Sequence, residues 1–127
     1  MGKLFLAGIG GFIGSALRYG LTGIVHQWSR RDDLPIGTLA VNLIGCFAIG
    51  FLSELSEQHG MFTGETRTLV FVGLIGGFTT FSAFGNETVN LWRGGHHLIA
   101  GLNIVAQLVL GLAAVLVSRV LASQLGR

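Results

Sequence analysis

Four long apolar runs divide this 127-residue chain, and short polar segments separate them. The runs extend over residues 4–17, 36–52, 69–84 and 98–117. With its flanking residues each run reaches roughly 20 residues, the length that an α-helix needs to cross the hydrocarbon core of a bilayer. The pattern therefore predicts an all-α membrane protein whose four transmembrane helices use nearly the whole chain.

The polar connections between the runs are too short to hold a separate domain. They are HQWSRRDDLP at 26–35, SEQHGMFTGETR at 56–67 and WRGGHH at 92–97, and Pro35 stands where it can end the first loop and open a helix. These lengths favour an up-and-down topology and one transmembrane domain over residues 1–127. The first run has no small-residue cleavage site followed by a soluble domain, so we expect no removable signal peptide.

The composition agrees with a membrane protein and excludes several other classes. Half of the residues are hydrophobic, 11% are charged, and the mean hydropathy is +0.68. A net charge of +2 indicates no nucleic-acid partner. The lone Cys46 cannot form an intrachain disulfide and is interpreted as a packing residue. His96 and His97 are adjacent, so they would point apart on a helix, which favours a solvated loop over a metal site.

Several of the 21 glycines lie inside the predicted helices. Gly10, Gly11 and Gly14 in the first helix, and Gly45 and Gly50 in the second, would let helix backbones approach closely. The segment GIGGFIG at 8–14 also resembles part of a dinucleotide-binding loop, but no strand precedes it and no acidic residue follows at the expected distance. The glycines are therefore interpreted as helix-packing residues.

A few polar side chains interrupt the first two apolar runs, and each is unfavourable enough in hydrocarbon to need a reason. Arg18 is either an interfacial anchor that reaches the membrane surface or a cation that draws anions into a vestibule. Asn42 follows Thr38 by four residues, so both face the same side of a helix. Asn42 either joins two helices, for about 1 kcal/mol or less, or offers its amide N–H groups to an anion.

The fourth run carries a polar stripe of its own. Asn103 and Gln107 are four residues apart, and Gly111 lies one turn further along the same face. This spacing predicts a polar stripe on the fourth helix with a narrow continuation.

The third run contains a cluster of residues that disfavour a continuous helix, GLIGGFTTFSAFGNET at 73–88. Gly76 and Gly77 weaken the helix, and the hydroxyls of Thr79, Thr80 and Ser82 compete for its carbonyl groups. We expect a break in this helix. Backbone groups freed at membrane depth are tolerated only when they are buried in protein or turned toward a cavity or ion.

Two phenylalanines lie beside the predicted break. Phe81 and Phe84 are three residues apart and share a helical face, with Phe78 a turn earlier. Such a stripe commonly packs against lipid or a protein core. The alternative is that two rings present their electropositive edges to an anion path that has no fixed cation. Weak sites of this kind suit conduction, which requires release as well as binding.

Three segments together resemble the signature segments of the Fluc/CrcB family of small fluoride channels. They are GGFIGSALRY at 10–19, GTLAVNLIG at 37–45 and GGFTTFSAF at 76–84, the last followed by NET. The resemblance covers all four helices in order. It implies an antiparallel homodimer with two fluoride pores at the subunit interface, and passive fluoride export across the cytoplasmic (inner) membrane of a microbe.

The resemblance also implies roles for individual residues. Backbone carbonyls of Gly76 and Thr79 would hold a central structural sodium ion. Asn42, Phe81 and Phe84 match the pore residues of the family. The predicted fluoride path further includes Thr38, Thr80, Ser82, Glu87 and Gln107, with Arg18 at the vestibule.

The chain departs from the family pattern at several places along the path. Ala83 and Gly85 replace residues that often carry hydroxyls, which thins the hydroxyl track beyond Ser82. Gln107 and Gly111 stand where serines or an asparagine are common. The identity of the later fluoride contacts is therefore left open by the sequence.

Two other functions fit a small four-helix membrane protein. A dual-topology multidrug or cation exporter would use Glu87 as a proton-coupled carboxylate, although Glu87 falls after the break and near a helix end. A scaffold without transport would need no polar stripe, and Asn42, Asn103 and Gln107 argue against it. The sequence supplies no arrangement for covalent chemistry, so we expect a transport protein and not an enzyme.

The basic residues are divided almost equally between the two predicted faces of the membrane. Lys3, Arg67, Arg119 and Arg127 lie on one face, and Arg30, Arg31 and Arg93 lie on the other. A difference of 4 − 3 = 1 basic residue is too small to determine the orientation in which the chain inserts. The sequence therefore predicts that copies insert in both orientations.

Overall fold

The structure is a computed structural model that describes residues 1–31 and 33–125. Asp32 of the first loop, and Arg127 of the charge count, lie outside the described residues. Helix α1 spans Gly2–Ser29, α2 spans Ile36–His59 and α6 spans His97–Leu125. Between α2 and α6 lies the third span, Gly64–Arg93. It consists of α3 at Gly64–Arg67, a π-helical stretch at Thr68–Ile75, α4 at Gly76–Phe78 and α5 at Phe81–Arg93.

The described part of the chain contains helices and no strands, and four spans are long and apolar enough to cross a membrane. This result confirms the predicted all-α membrane fold with four transmembrane helices. The protein is a multi-pass membrane protein by these criteria. The π-helical stretch before the break was not predicted, because the sequence pattern does not distinguish it from an α-helix.

The helices extend further than the apolar runs. Helix α1 continues through Ser29, so the prediction of a loop from residue 26 is wrong for its first four positions. It ends at Arg30, whose backbone is left-handed with φ 50°. Helix α2 begins directly after Pro35, as predicted, and ends at Gly60 with φ 60°. A left-handed residue at a helix end satisfies carbonyls of the last turn.

The glycines bring helix backbones together as the sequence predicted. Helix α1 packs along the π-helical stretch and α4, while α2 packs along α6. A Cβ atom built on Gly10 would lie 2.9 Å from the Cα atom of Gly73, and one built on Gly77 would lie 2.7 Å from the carbonyl oxygen of Gly11. A Cβ atom on Gly45 would collide with Thr79 Cγ2. These contacts leave no room for side chains, so the third span is held against both α1 and α2.

We predict that Gly10→Ala destabilises the protein, because its new methyl group would meet the backbone of the third span. Overpacking of this kind costs about 1–3 kcal/mol. Gly8→Ala is the matched control, since nothing lies within 4 Å of that position and the gain in helix propensity is the same. Thermal loss of the monodisperse peak in size-exclusion chromatography measures the difference. Equal midpoints for the two variants would contradict the prediction.

Candidate functional site

The third span breaks at two consecutive extended residues. Thr79 has φ −82° and ψ 157°, and Thr80 has φ −150° and ψ 116°. The break was predicted for this stretch, and the structure confirms it. Gly76 and Gly77 themselves remain helical, so the break follows the glycine pair by two residues.

The side chain of Asn42 replaces the lost helical partners of Thr80. The Thr80 backbone N–H donates to Asn42 Oδ1 at 2.9 Å, and Asn42 Nδ2 donates back to the Thr80 carbonyl at 3.1 Å. Both backbone groups at the centre of the break are thereby satisfied within the protein, as the apolar surroundings require. Asn42 on α2 thus holds the break in place.

The side chain of Thr80 starts the next helix. Its Oγ1 accepts a hydrogen bond of 3.2 Å from the Ala83 backbone N–H, which is the usual bond of a helix N-cap. The same hydroxyl lies 3.2 Å from the hydroxyl of Ser82. Thr79 therefore ends the first half of the span as the C-cap of α4, and Thr80 begins the second half as the N-cap of α5.

These two hydrogen bonds release the carbonyls to which the family resemblance gives a sodium-binding role. In a continuous helix the Gly76 carbonyl would accept from the Thr80 N–H, and the Thr79 carbonyl from the Ala83 N–H. Those donors bond to Asn42 Oδ1 and Thr80 Oγ1 instead. Carbonyl oxygens without their helical donors are suitable ligands for a small hard cation. Gly76 and Thr79 therefore fit a sodium site by the chemistry of their released oxygens.

A groove of about 320 Å³ runs along the break. Five residues of the predicted fluoride path line it, namely Asn42, Thr80, Phe81, Phe84 and Gln107, together with Gly45, Cys46, Ile49, Ile75, Thr79 and Leu108. Helices α2, α5 and α6 each contribute to its walls. The Phe81 side chain is 80% exposed, so this wall of the groove faces outward from the single chain.

The two phenyl rings of the groove contact each other edge to face. Their centroids lie 5.4 Å apart and their planes make an angle of 66°. Such an arrangement directs the electropositive edge of one ring toward the electron-rich face of the other. With both residues on the first turn of α5, the break fixes where the rings stand.

Gln107 on α6 completes a row of hydrogen bonds that begins at the break. Its Oε1 accepts from Asn42 Nδ2 at 3.1 Å. The two hydrogens of the Asn42 amide are therefore both used, one by Thr80 and one by Gln107. Gln107 Nε2 is buried and has no hydrogen-bond partner within the described structure.

Thr38 and Glu87 form a second polar pair, away from the groove. Thr38 Oγ1 donates to Glu87 Oε1 at 2.6 Å, and the other carboxylate oxygen of Glu87 is buried without a partner in the described part of the chain. Glu87 also lines a cavity of about 380 Å³ with His26, Asp33, Leu34, Pro35, Asn90, Leu91 and His96. Sequence reasoning missed these neighbours because they come from separate loops and helix ends, and no spacing in the chain connects them.

The remaining candidates lie outside the groove. Arg18 is half-buried on α1 and lines neither the groove nor the cavity at Glu87. Ser82 is exposed beside Thr80. Asn103 Nδ2 donates to Thr88 Oγ1 at 2.9 Å, which joins α6 to α5. The predicted polar stripe is therefore divided, since Asn103 contacts α5 whereas Gln107 contacts Asn42 on α2.

Comparison with known proteins identifies the family of this arrangement. Residues 5–119 match the family model described as "CrcB-like protein, Camphor Resistance (CrcB)". The chain belongs to the CrcB family. The match includes every helix that lines the groove.

Three relatives of the CrcB chain carry names that state an activity. The "Fluoride-specific ion channel FluC" of Methylobacillus flagellatus is 46% identical, covering 88% of each chain. The protein of the same name from Parabacteroides distasonis is 47% identical over 94% of this chain and 91% of its own. "Fluoride-specific ion channel FluC 1" of Methanosarcina acetivorans is 41% identical over 98% of this chain and 94% of its own. The similarity therefore covers nearly the full length of both partners.

We predict that Thr80→Val destabilises the protein by about 0.5–2 kcal/mol, the usual effect of losing an N-cap. Valine has nearly the shape of threonine but cannot accept from the Ala83 N–H. Thr80→Ser keeps the accepting oxygen and serves as the control. The midpoint of thermal unfolding in detergent, followed by circular dichroism, should fall for Thr80→Val. A midpoint equal to that of Thr80→Ser would show that the cap is unimportant.

Proposed function

We propose that this protein is a fluoride-selective channel that lets fluoride leave the cytoplasm across the inner membrane. The observation that carries the proposal is the groove at the broken third span, where two amide side chains and an edge-on phenylalanine pair meet. The chain belongs to a family whose relatives at 41–47% identity are named fluoride-specific ion channels. Conduction requires no covalent step, so the protein is not an enzyme.

The groove has the chemistry that a small anion needs. Fluoride is strongly hydrated, so a pore must replace its water with hydrogen-bond donors and electropositive ring edges. The amide of Gln107, which Asn42 holds by a hydrogen bond, stands with the rings of Phe81 and Phe84 along the break. A narrow path of this kind would exclude larger halides by size. Ser82 and Thr80 extend it with hydroxyls, while Thr38 and Glu87 lie further along.

We propose that two copies pair antiparallel and that each groove is closed by the partner. In the single chain the groove is open on one side, as the exposure of Phe81 shows. Nearly equal basic charge on the two faces allows copies of both orientations to exist in one membrane. A two-fold axis in the membrane plane would then relate two identical grooves, giving two pores per dimer. Arg18 would stand at the vestibule of each pore.

We also propose that sodium is a structural ion of the dimer. The released carbonyls of Gly76 and Thr79 are the residues that would hold it, and their dipoles supply the negative charge that a cation needs. When bound, the ion would attract the carbonyl oxygens of both breaks and thereby hold the two third spans together. Gly76 is exposed on the surface of the single chain, which is consistent with a ligand shared between copies.

The exporter alternative depends on Glu87 as a carboxylate deep in the membrane. Glu87 instead shares its cavity with Asp33 and His96 of the connecting loops, and its Oε1 is bonded to Thr38. This position near the end of the span disfavours the exporter.

Fluoride efflux from liposomes tests the proposed function directly. Purified protein is reconstituted into vesicles loaded with potassium fluoride, and valinomycin starts the release that a fluoride electrode records. We expect rapid fluoride release and, in matched vesicles, no chloride release. Absence of fluoride release, or equal release of chloride, would refute a fluoride-selective channel.

We predict that Phe81→Ile and Phe84→Ile each lower fluoride efflux about tenfold, the scale of an aromatic edge contact. Isoleucine keeps most of the volume and hydrophobicity, so dimer assembly should persist in size-exclusion chromatography. Phe5→Ile on the exposed side of α1 is the control. Wild-type efflux in both ring variants would mean that the rings only pack.

We predict that copies insert in both orientations. A C-terminal reporter that is active only in the cytoplasm and one that is active only outside should both give signal. Added lysines at the N-terminus should fix one orientation and abolish efflux, because antiparallel pairs could no longer form. A single orientation in the unaltered protein would contradict the antiparallel dimer, as would an empty axis between the Gly76 carbonyls in a high-resolution map.

A further inference from the structure

The groove contains two amide side chains, and only one of them has N–H groups that make no hydrogen bond. Asn42 donates one hydrogen to the Thr80 carbonyl and the other to Gln107 Oε1. Its oxygen accepts from the Thr80 N–H. Because an amide has two hydrogens, Asn42 has no donor left for an ion.

The amide of Gln107 is in the opposite situation. Its oxygen accepts from Asn42 Nδ2, and this bond fixes which end of the amide is oxygen and which is nitrogen. Its nitrogen is buried and has no partner among the described residues. A buried donor without an acceptor is unfavourable, so this position calls for a ligand that accepts hydrogen bonds.

The other buried side-chain atom without a partner in the described residues is Glu87 Oε2, an acceptor. A carboxylate oxygen would repel an anion unless it carried a proton. Gln107 Nε2 is therefore the group whose polarity suits an anion in the single chain. Its residue also lines the groove beside Phe81 and Phe84.

We propose that Gln107 supplies the amide donor to the dehydrated anion, while Asn42 is a positioning residue that holds both the break and the Gln107 amide. This assignment rests on the proposed fluoride conduction. The family resemblance places both amides on the fluoride path, whereas here only Gln107 donates to the ion. Because Nε2 is buried, a neighbouring side chain must move before an anion can reach it.

The variant Gln107→Met separates the two assignments. Methionine keeps the length and most of the volume, removes the Nε2 donor, and frees one hydrogen of Asn42. If Gln107 is the donor, efflux should fall roughly tenfold to a hundredfold, the scale of one hydrogen bond to an ion. If Asn42 is the donor, efflux should be unchanged or higher, which would overturn the proposal.

A second variant removes the donor but keeps the contact with Asn42. Gln107→Glu retains an oxygen that accepts from Asn42 Nδ2, and we expect it to abolish efflux. Leu110→Met on the same helix, exposed at 47%, is the control for substitution in α6. Wild-type efflux in Gln107→Glu would overturn the proposal.

The dependence of efflux on fluoride concentration distinguishes a binding role from a folding defect. Loss of folded channels lowers the maximal rate alone, whereas loss of a donor also raises the fluoride concentration that gives half-maximal efflux. We expect that shift in Gln107→Met. A lower maximal rate with an unchanged half-maximal concentration would assign Gln107 a structural role. Failure of the wild-type protein to release fluoride would instead refute the proposed function itself.

Nuclear magnetic resonance of the wild-type protein tests the proposal even if the variants do not fold. The chain has four glutamines, Gln27, Gln58, Gln107 and Gln124, so glutamine labelling with ¹⁵N gives few side-chain signals. Substitution of the other three, which are exposed, assigns the remaining pair to Gln107. Sodium fluoride should shift that pair and sodium chloride should not. No shift with fluoride would overturn the proposal.

Discussion

The double hydrogen bond between Asn42 and Thr80 is the interaction on which the site depends. A helix that breaks inside a membrane exposes an N–H and a carbonyl where no water can satisfy them. Asn42 bonds to both, at 2.9 and 3.1 Å. These bonds replace helical ones, so the break is a defined structure. Asn42 on α2 sets its position, and the break in turn sets the positions of the neighbouring groove residues.

Three features follow from this one break. The carbonyls of Gly76 and Thr79 lose their helical donors, Thr80 becomes the N-cap of α5, and Phe81 and Phe84 are placed on the first turn after the cap. The proposed cation site and the proposed anion path thus share one local arrangement. A change that closes or moves the break would therefore alter the proposed sodium site and the proposed fluoride path together.

Close backbone contacts provide the rigidity that such an arrangement needs. Gly10 and Gly73 bring α1 against the third span, and Gly45 on α2 leaves space for the Thr79 methyl group. Gly45 lies one turn from Asn42, and Gly73 lies less than two turns before the break. Packing of small residues, which drives helix association in lipid, thereby also fixes the groove. The open side of the groove explains why a single chain is an incomplete pore under the proposed function.

The sequence by itself determined the four spans, the broken third helix and the glycine contacts, because hydropathy, glycine spacing and local hydroxyls act over short distances along the chain. With the family resemblance it also pointed to five of the eleven groove residues. Tertiary structure alone decided which amide N–H groups of the groove make hydrogen bonds within the protein and which do not. Asn42 and Gln107 are 65 positions apart, and no pattern in the chain reveals that the first amide is fully occupied and the second is not. The same holds for Glu87 beside His26 and Asp33. Hydrogen-bond partners across a helix bundle depend on how its helices are rotated and shifted, and that is a property of the packed structure.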